Sequence, residues 1–346
     1  MRSNPGWSCE ANVSWSGGCE VIITRTPLRI SLGGGGTDLP SYSDRYGAMA
    51  IAAAINRYIF IAINRTFTND YFLKYSALER VATIEEIEHP IVREAFLRHP
   101  VGPGVEMVSI ADIPAGTGLG SSGAFTVGLL RALCAFRREH VTDSALAAEA
   151  CEIEIECLGR PVGKQDQYIA AFGGLTCMGF EKDGGVDISP LRISNDTLRD
   201  LEEHLLMFFT GYSRAADSVL AEQKTRSEEG DADMVDNLHQ IKELGFEVKK
   251  TLENDDALGF GHILDRHWQY KKQRSKAMSN PDIDRFYEKA MTNGAVGGKL
   301  VGAGAGGFLL FYAKDQGALR SALAEEGLTE VRFSFDLDGS VVLVRD

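Results

Sequence analysis

The sequence predicts strands and helices divided between two domains, and three observations carry that prediction. Its 346 residues suggest two domains, or one large one, against a prior of roughly 150 residues per domain. Apolar residues make up 44% and charged residues 25%, ordinary for a chain that buries a sizeable core, and this excludes disordered, collagen-like and coiled-coil classes. A turn-rich stretch at 181–195 (EKDGGVDISPLRISN) separates a strand-rich first half from a second half dominated by helical patterns. The division expected is a loose extension at 1–20, a first domain at 21–185 and a second at 186–346.

Taken in order, residues 1–20 carry Trp7 and Trp15 among scattered polar residues without an apolar core segment, so they do not read as a signal peptide. Val21–Ile30 is β-rich and leads into the glycine run Gly33–Gly36. Ala48–Ile55 and Tyr58–Ile63 read as paired strands turned at Asn56 and Arg57, and Met107–Ile113 as a strand that Pro114 ends. Ala124–Phe136 is apolar nearly all round, the pattern of a buried helix. Thr142 and Asp143 cap the next helix, whose Leu146, Ala150, Ile153 and Cys157 recur at helical spacing before Gly159-Arg160-Pro161 ends it. Asp217–Asp256 and Ala257–Met278 predict long helices, the first interrupted by the acidic, solvated stretch Ser227–Asp236. A shorter helix at Asp282–Asn293 is followed by glycine-rich residues 294–307, the strand Phe308–Ala313 and two weak strands, Glu330–Phe335 and Gly339–Val344.

The net charge is −13. Nucleic acid and anionic membranes are thereby excluded as general partners, because no excess of Lys and Arg is present to release counterions. A phosphate ligand would have to be drawn in against the protein's own field. The six cysteines (Cys9, Cys19, Cys134, Cys151, Cys157 and Cys177) form no CxxC pair, so neither a disulfide framework nor a zinc site is expected, and reduced thiols in a cytoplasm are. The longest apolar run, Ala48–Ile55, is too short to span a bilayer.

Glycine is enriched, at 37 of 346 residues, and it concentrates at Gly33–Gly36, Gly116–Gly123 and Gly294–Gly307. The middle cluster, PAGTGLGSSG from Pro114 to Gly123, follows a strand and precedes a helix. Glycines let the backbone approach an oligophosphate there, the helix N-terminus offers unpaired N–H groups, and Ser121 and Ser122 add hydroxyls for a phosphate or Mg²⁺. The Walker pattern is absent. A GxGxxG match at Gly118, Gly120 and Gly123 recurs at Gly302, Gly304 and Gly307 before a strand, so it is weak support for a dinucleotide site. In the first cluster, Arg29 and Asp38 flank a glycine bend. Asp38 either accepts hydrogen bonds from substrate hydroxyls or closes an Asx-turn, and Arg29 either neutralises an acid or a phosphoryl group or lies on the surface. In GKQDQY, Asp166 stands between two glutamines, as a general base for a sugar hydroxyl would, or as a helix-capping Asp would.

At this point the residues resemble a family, the GHMP kinases. The likeness runs from residue 21 to about 344. Within that superfamily TPLRISLGGGGTDLPSYSDRYG, GKQDQYIAAFGGL, TGYSRAADSVLAEQ, SNPDIDRFYEKA and GAVGGKLVGAGAGGFLLFY look like the D-glycero-D-manno-heptose 7-phosphate kinases, while PAGTGLGSS marks only the superfamily. The resemblance implies an α+β fold: an N-terminal, ATP-binding domain like ribosomal protein S5 domain 2 and a ferredoxin-like C-terminal domain with added helices, the active site lying between them. It implies an ATP-dependent kinase acting on the anomeric hydroxyl of a sugar phosphate, serving surface polysaccharide synthesis, with no nucleic acid or membrane partner and with a homodimer left open. ATP would lie on Pro114, Gly116, Gly118, Leu119, Gly120, Ser121 and Ser122. Mg²⁺ would be held by Ser122 and Glu154. The helical wheel does not place Glu154 independently, since it lies roughly 65° off the apolar stripe and Glu149 a similar angle on the other side, at about 100° per residue.

By the same resemblance Asp166 is the catalytic base and Arg29 its cation, and the substrate contacts are Gly34, Gly35, Thr37, Asp38, Gly173, Gly302 and Gly304. Ala305 stands where these kinases usually carry Gly. The substrate's own phosphate would need a second cationic site, with Lys164, Arg214, Lys224, Lys271, Lys272 and Arg274 as candidates. Trp268 and the seven histidines are expected to pack or to lie on the surface. Fucose-, mannose- and galactose-type kinases share every motif, a dinucleotide-binding oxidoreductase lacks its βαβ repeat here, and a non-catalytic sugar sensor would be expected to have lost Asp166, Ser122 or Glu154.

Overall fold

β-Branched and apolar residues from Val21 to Gly33 form a strand, β1, that is buried along almost its whole length. The chain is seen in a computed structural model that describes residues 21–211, 216–304 and 306–345. The extension 1–20, Arg214 and Ala305 lie outside the described residues. After β1 come α1 (Pro40–Tyr46), β2 (Ala48–Arg65), β3 (Tyr71–Lys74), β4 (Leu78–Val81), α2 (Pro90–Arg98), β5 (Val105–Ala111), α3 (Ser121–Phe136), α4 (Asp143–Cys151), α5 (Gln165–Phe172), β6 (Leu175–Phe180) and β7 (Val186–Pro190). The second half holds α6 (Asn195–His204), β8 (Leu205–Gly211), α7 (Ala216–Glu228), α8 (Ala232–Glu253), α9 (Ala257–Gln273), α10 (Pro281–Thr292), β9 (Ala295–Val301), β10 (Gly307–Ala313), α11 (Gln316–Glu325), β11 (Thr329–Glu330) and β12 (Val341–Arg345).

Two sheets organise these elements into an α+β fold, as expected. The larger runs β12-β1-β2-β5-β3-β4, with β6 on β2 and β7 on β6, and the smaller runs β11-β8-β10-β9. β7 follows the expected division at 185, and β12 lies near the end of the chain, yet both belong to the larger sheet. That sheet is therefore completed from both sides of the division. In the smaller sheet the pleat sorts side chains between two cores: Leu205, Met207, Phe308 and Leu310 face one, and Leu206, Phe208, Leu309 and Phe311 face the other. Both faces are covered, which is why these strands read as unbroken apolar runs.

Three expectations are corrected. Ala48–Ile55 and Tyr58–Ile63 are not a hairpin but one strand of 18 residues, paired with β1 from Val21↔Asn64 to Gly33↔Ile51. The register shifts between Pro27 and Leu28, so Asn56 and Arg57 bulge out where Pro27 has no N–H to give to the ladder. Asn56 bonds Ser334 through both backbone and side chain instead. The glycine-rich stretch 294–307 contains a whole strand, β9, in which Gly297 lies under α9 and Gly298 against Phe311 of β10. Glu330–Phe335 is mostly not a strand: β11 covers Thr329 and Glu330, and the rest crosses to the larger sheet with a single bridge from Ile55 to Phe335.

The helix through Thr142 also departs from expectation, since α4 passes at Glu152 into a π-helical turn, Glu152–Cys157. Thr142 does cap it, accepting from the Ala145 N–H at 3.2 Å. The acidic interruption after α7 falls at 229–231, where Asp231 caps α8 by accepting from the Met234 N–H at 3.0 Å. Among the described residues no helix is long and apolar enough to cross a membrane.

α9 lies so close on β9 that a Cβ at Gly297 would overlap the Gly261 carbonyl oxygen and stand 3.0 Å from the Asp265 nitrogen. Gly297→Ala is therefore expected to lift α9 and cost about 1–3 kcal/mol, read as a lower midpoint in urea unfolding; an unchanged midpoint would contradict this packing.

Candidate active site

A cavity of about 720 Å³ opens between the larger sheet with its loops and the α9–β9 pair. One end is apolar, lined by Ile59, Tyr75, Ile91, Ile113 and Phe125, and suits a flat heterocycle. Beside it lies the loop from Pro114 to Ser122. Gly120 stands before α3 in the left-handed region at φ 76°, which turns the loop into a helix whose first residues, Ser121 and Ser122, line the cavity. The Ser121 hydroxyl, buried here, has no hydrogen-bond partner, as suits a donor set for an oxyanion that is bound from outside.

The floor is built on Arg29. Its Nε and Nη2 donate to Asp166 Oδ1 and Oδ2, each at 2.7 Å, and Nη1 donates to the Gly118 carbonyl at 2.6 Å. Its backbone N–H donates to the Leu119 carbonyl at 3.0 Å. Arg29 is 6% exposed, so it is not a surface residue. Asp166 lies in the first turn of α5 with no capping bond from its side chain; its carboxylate faces the cavity. The flanking glutamines divide: Gln165 accepts from Ser31 Oγ at 2.9 Å and reaches Asp166 at 3.4 Å, whereas Gln167 turns away and donates to Glu154 at 2.9 Å.

Asp38 is buried, and its two oxygens accept from the Gly36 N–H at 2.9 Å and the Gln165 N–H at 3.0 Å, so no Asx-turn forms. Burial pushes its carboxyl above the ordinary range, against the pull of the Gln165 N–H. Behind it, Glu154 is completely buried on the π-helical turn. Its Oε1 accepts from Gln167 and, at 3.2 Å, from Thr126, while Oε2 meets the Ser122 hydroxyl and Arg160 Nη1. Hydroxyl and carboxylate oxygens side by side are the hard donors that Mg²⁺ selects.

The residues expected from the motifs divide between lining and support. Arg29, Gly35, Asp38, Pro114, Gly116, Gly118, Gly120, Ser121, Ser122, Asp166 and Gly302 line the cavity. Leu119, fully buried, gives its carbonyl to Arg29, and Thr37 bonds the Gly34 carbonyl at 2.8 Å, which shapes the bend from behind. Gly304 packs toward Met278. Gly173 does not reach the cavity; it ends α5 at φ 71°, where a Cβ would meet the Gly339 backbone. Of the candidate cations, Lys271 and Arg274 line the cavity and Lys164, Lys224 and Lys272 do not.

Sequence reasoning missed Lys299, His267, Arg160 and Gly163, which line it too. Of the histidines, His89 and His267 line the cavity, and His267 is buried in its wall. A lone lysine within an apolar strand was the available signal for Lys299, since lysine is almost never buried unless paired.

Comparison with known proteins gives this geometry a family. The family model for the GHMP kinases N terminal domain matches residues 89–174, and the model for the GHMP kinases C terminal domain matches 248–328. A D-glycero-alpha-D-manno-heptose 7-phosphate kinase of Campylobacter jejuni is 33% identical over 92% of this chain and 98% of its own length. The chain belongs to the GHMP kinases. It is an ATP-dependent carbohydrate kinase. Among solved structures of the family, a D-glycero-D-manno-heptose 1-phosphate kinase from Bacteroides thetaiotaomicron superposes with a TM-score of 0.77 at 26% identity, covering 93% of this chain and 99% of that one. A putative sugar kinase from Campylobacter jejuni gives 0.74 at 30% identity, covering 96% and 100%.

Gly163 tests how tightly the fold holds Asp38 at the cavity, because a Cβ there would overlap Asp38 Oδ2. Gly163→Ala is expected to displace Asp38 and lower kcat/KM for the acceptor by up to about 10²-fold, the scale of a 1 Å misplacement. The thermal midpoint should stay close to that of the parent; unchanged steady-state kinetics would contradict the assignment.

Proposed function

We propose that this enzyme transfers the γ-phosphoryl group of ATP to the anomeric O1 of D-glycero-D-manno-heptose 7-phosphate, giving the 1,7-bisphosphate for surface polysaccharide precursors in the cytoplasm. The observation that carries the reading is the Asp166 carboxylate, aimed into the cavity by a two-pronged bond from Arg29 and flanked by the phosphate loop on one side and Asp38 on the other. The relative at 33% identity supports the sugar and its 7-phosphate. The Bacteroides protein is named instead for a heptose 1-phosphate, so the position phosphorylated is part of the proposal.

In this reading the adenine takes the apolar end of the cavity and the triphosphate lies along residues 116–122, against the α3 N-terminus. Asp38 accepts from sugar hydroxyls. Asp166 receives the O1 proton as O1 bonds to the γ-phosphorus; the bond from that phosphorus to the β–γ bridging oxygen breaks, and ADP leaves with the electron pair. Arg29 holds Asp166 in line and faces the charge that spreads over the transferring group. Ser122 and Glu154 would hold Mg²⁺. That ion, when bound, offsets charge on the phosphate oxygens.

Asp166→Asn keeps the shape and removes the base, so kcat should fall by about 10²–10⁴-fold while ATP still binds, as followed by calorimetry. Substrate profiling with heptose 7-phosphate, mannose, fucose and galactose, with NMR of the product, checks the acceptor. Phosphate placed anywhere but C1 would overturn the specific assignment, and a preference for fucose or galactose would replace it with another sugar-1-kinase.

A further inference from the structure

The cavity wall opposite the phosphate loop carries more positive charge than the proposed chemistry uses. Along α9 and its C-cap, His267, Lys271 and Arg274 recur at i, i+4 and i+7 on one face, and Lys299 joins them from β9. All four are buried, none more than 6% exposed. Among the described residues none of the three cations has a carboxylate within ion-pair distance. They hold neutral groups instead. Lys271 donates to the Leu300 carbonyl at 2.8 Å and to that of Gly302, Lys299 to the Leu32 carbonyl at 3.2 Å, and Arg274 to the Gly35 carbonyl at 3.1 Å and to Asn237 Oδ1 at 3.2 Å. His267 has no hydrogen-bond partner at either ring nitrogen.

Burying cations without counter-charge is costly, and burying an unpartnered imidazole adds to the cost. Burial and mutual repulsion push the Lys299 ammonium down to about 7 and Lys271 well below the usual lysine range. An anion bound between them would remove both penalties. The hydrogen bonds to Leu32 and Gly35 place Lys299 and Arg274 beside the bend that carries Asp38, on the acceptor side of the cavity.

We infer that His267, Lys271, Arg274 and Lys299 form an anion subsite for a phosphate already present on the acceptor, so that the enzyme selects sugar phosphates over free sugars. This rests on the proposed function for the identity of the sugar but not for the presence of the phosphate.

The experiment compares kcat/KM for D-glycero-D-manno-heptose 7-phosphate with that for the dephosphorylated heptose, in the parent enzyme and in Arg274→Gln, Lys299→Gln and Arg274→Lys. The parent is expected to prefer the phosphate ester by about 10²-fold. Each Gln variant should shrink that preference about tenfold or more, the scale of one charge-assisted hydrogen bond, through the ester alone and with the KM for ATP unmoved. Arg274→Lys should retain most of the preference, which separates lost charge from a failure to fold. Equal losses on both acceptors, with the preference preserved, would overturn the subsite. The same comparison run on mannose, fucose and galactose and their terminal phosphate esters separates the two proposals. A different sugar phosphate as best acceptor removes the heptose and leaves the subsite standing; a free sugar preferred over its own ester removes the subsite and leaves the kinase.

Discussion

The bond between Arg29 and Asp166 is the constraint on which the rest of the site depends. Arg29 sits on β1 opposite Ala54 of β2, so the ladder fixes its Cα. From there one guanidinium registers two further segments, the phosphate loop through the Gly118 carbonyl and α5 through both oxygens of Asp166. Lysine cannot reproduce this, because the three contacts use three nitrogens of one planar fork. Removing either partner would strand the other's charge, a loss of about 3–5 kcal/mol where burial is complete and smaller here, since the Asp166 side chain is 28% exposed. In the proposed mechanism that exposure is needed: a carboxylate sealed on all sides would be held better and could accept no proton from a substrate.

Around this pair, the site is assembled from elements far apart in the chain. β12, near the end, pairs with β1, and the segment after β11 crosses from one sheet to the other through Asn56 and Ser334. α9 closes the cavity from the far side and is seated on β9 across Gly261 and Gly297. That wall also meets the glycine loop directly, Gly302 and the Val301 carbonyl against Gly118 and Gly307 against the Thr117 carbonyl.

Much of this was legible from local pattern. The glycine loop before a buried helix carried its own physical signature, whereas the role of Asp166 and the grouping of the three glycine segments around one site came from the family resemblance. What local pattern could not show were departures from regular periodicity. Asn56 and Arg57 look like a turn because a bulge and a turn use the same residue types; only the partner strand, with Pro27 opposite, distinguishes them. Glu154 could not be placed by a wheel drawn at 3.6 residues per turn, because the helix widens to a π-turn at Glu152 and rotates all that follows. From that turn Glu154 meets the Ser122 hydroxyl. Lys299 is a lone lysine in an apolar strand, which signals burial, but which wall it joins depends on how α9 packs on β9.

The apparent conflict between a net charge of −13 and an anionic ligand dissolves once the charges are sorted by depth. Acidic side chains such as Glu139, Asp196, Glu325 and Asp338 are substantially exposed, and at physiological salt their field decays over about 8 Å. Arg29 and Arg274 sit where water is largely excluded and their field is screened far less, while Lys271 and Lys299, held down by burial and mutual repulsion, gain charge as an anion approaches. Opposing them at the cavity are Asp38 and Asp166, of which the second is already committed to Arg29. An approaching polyphosphate therefore meets a repulsive but heavily screened exterior and an attractive interior. The exterior term acts mainly on the rate of encounter, whereas the interior term persists in the complex and sets affinity. Global charge and pocket charge thus answer different questions, and only the second bears on what this enzyme binds.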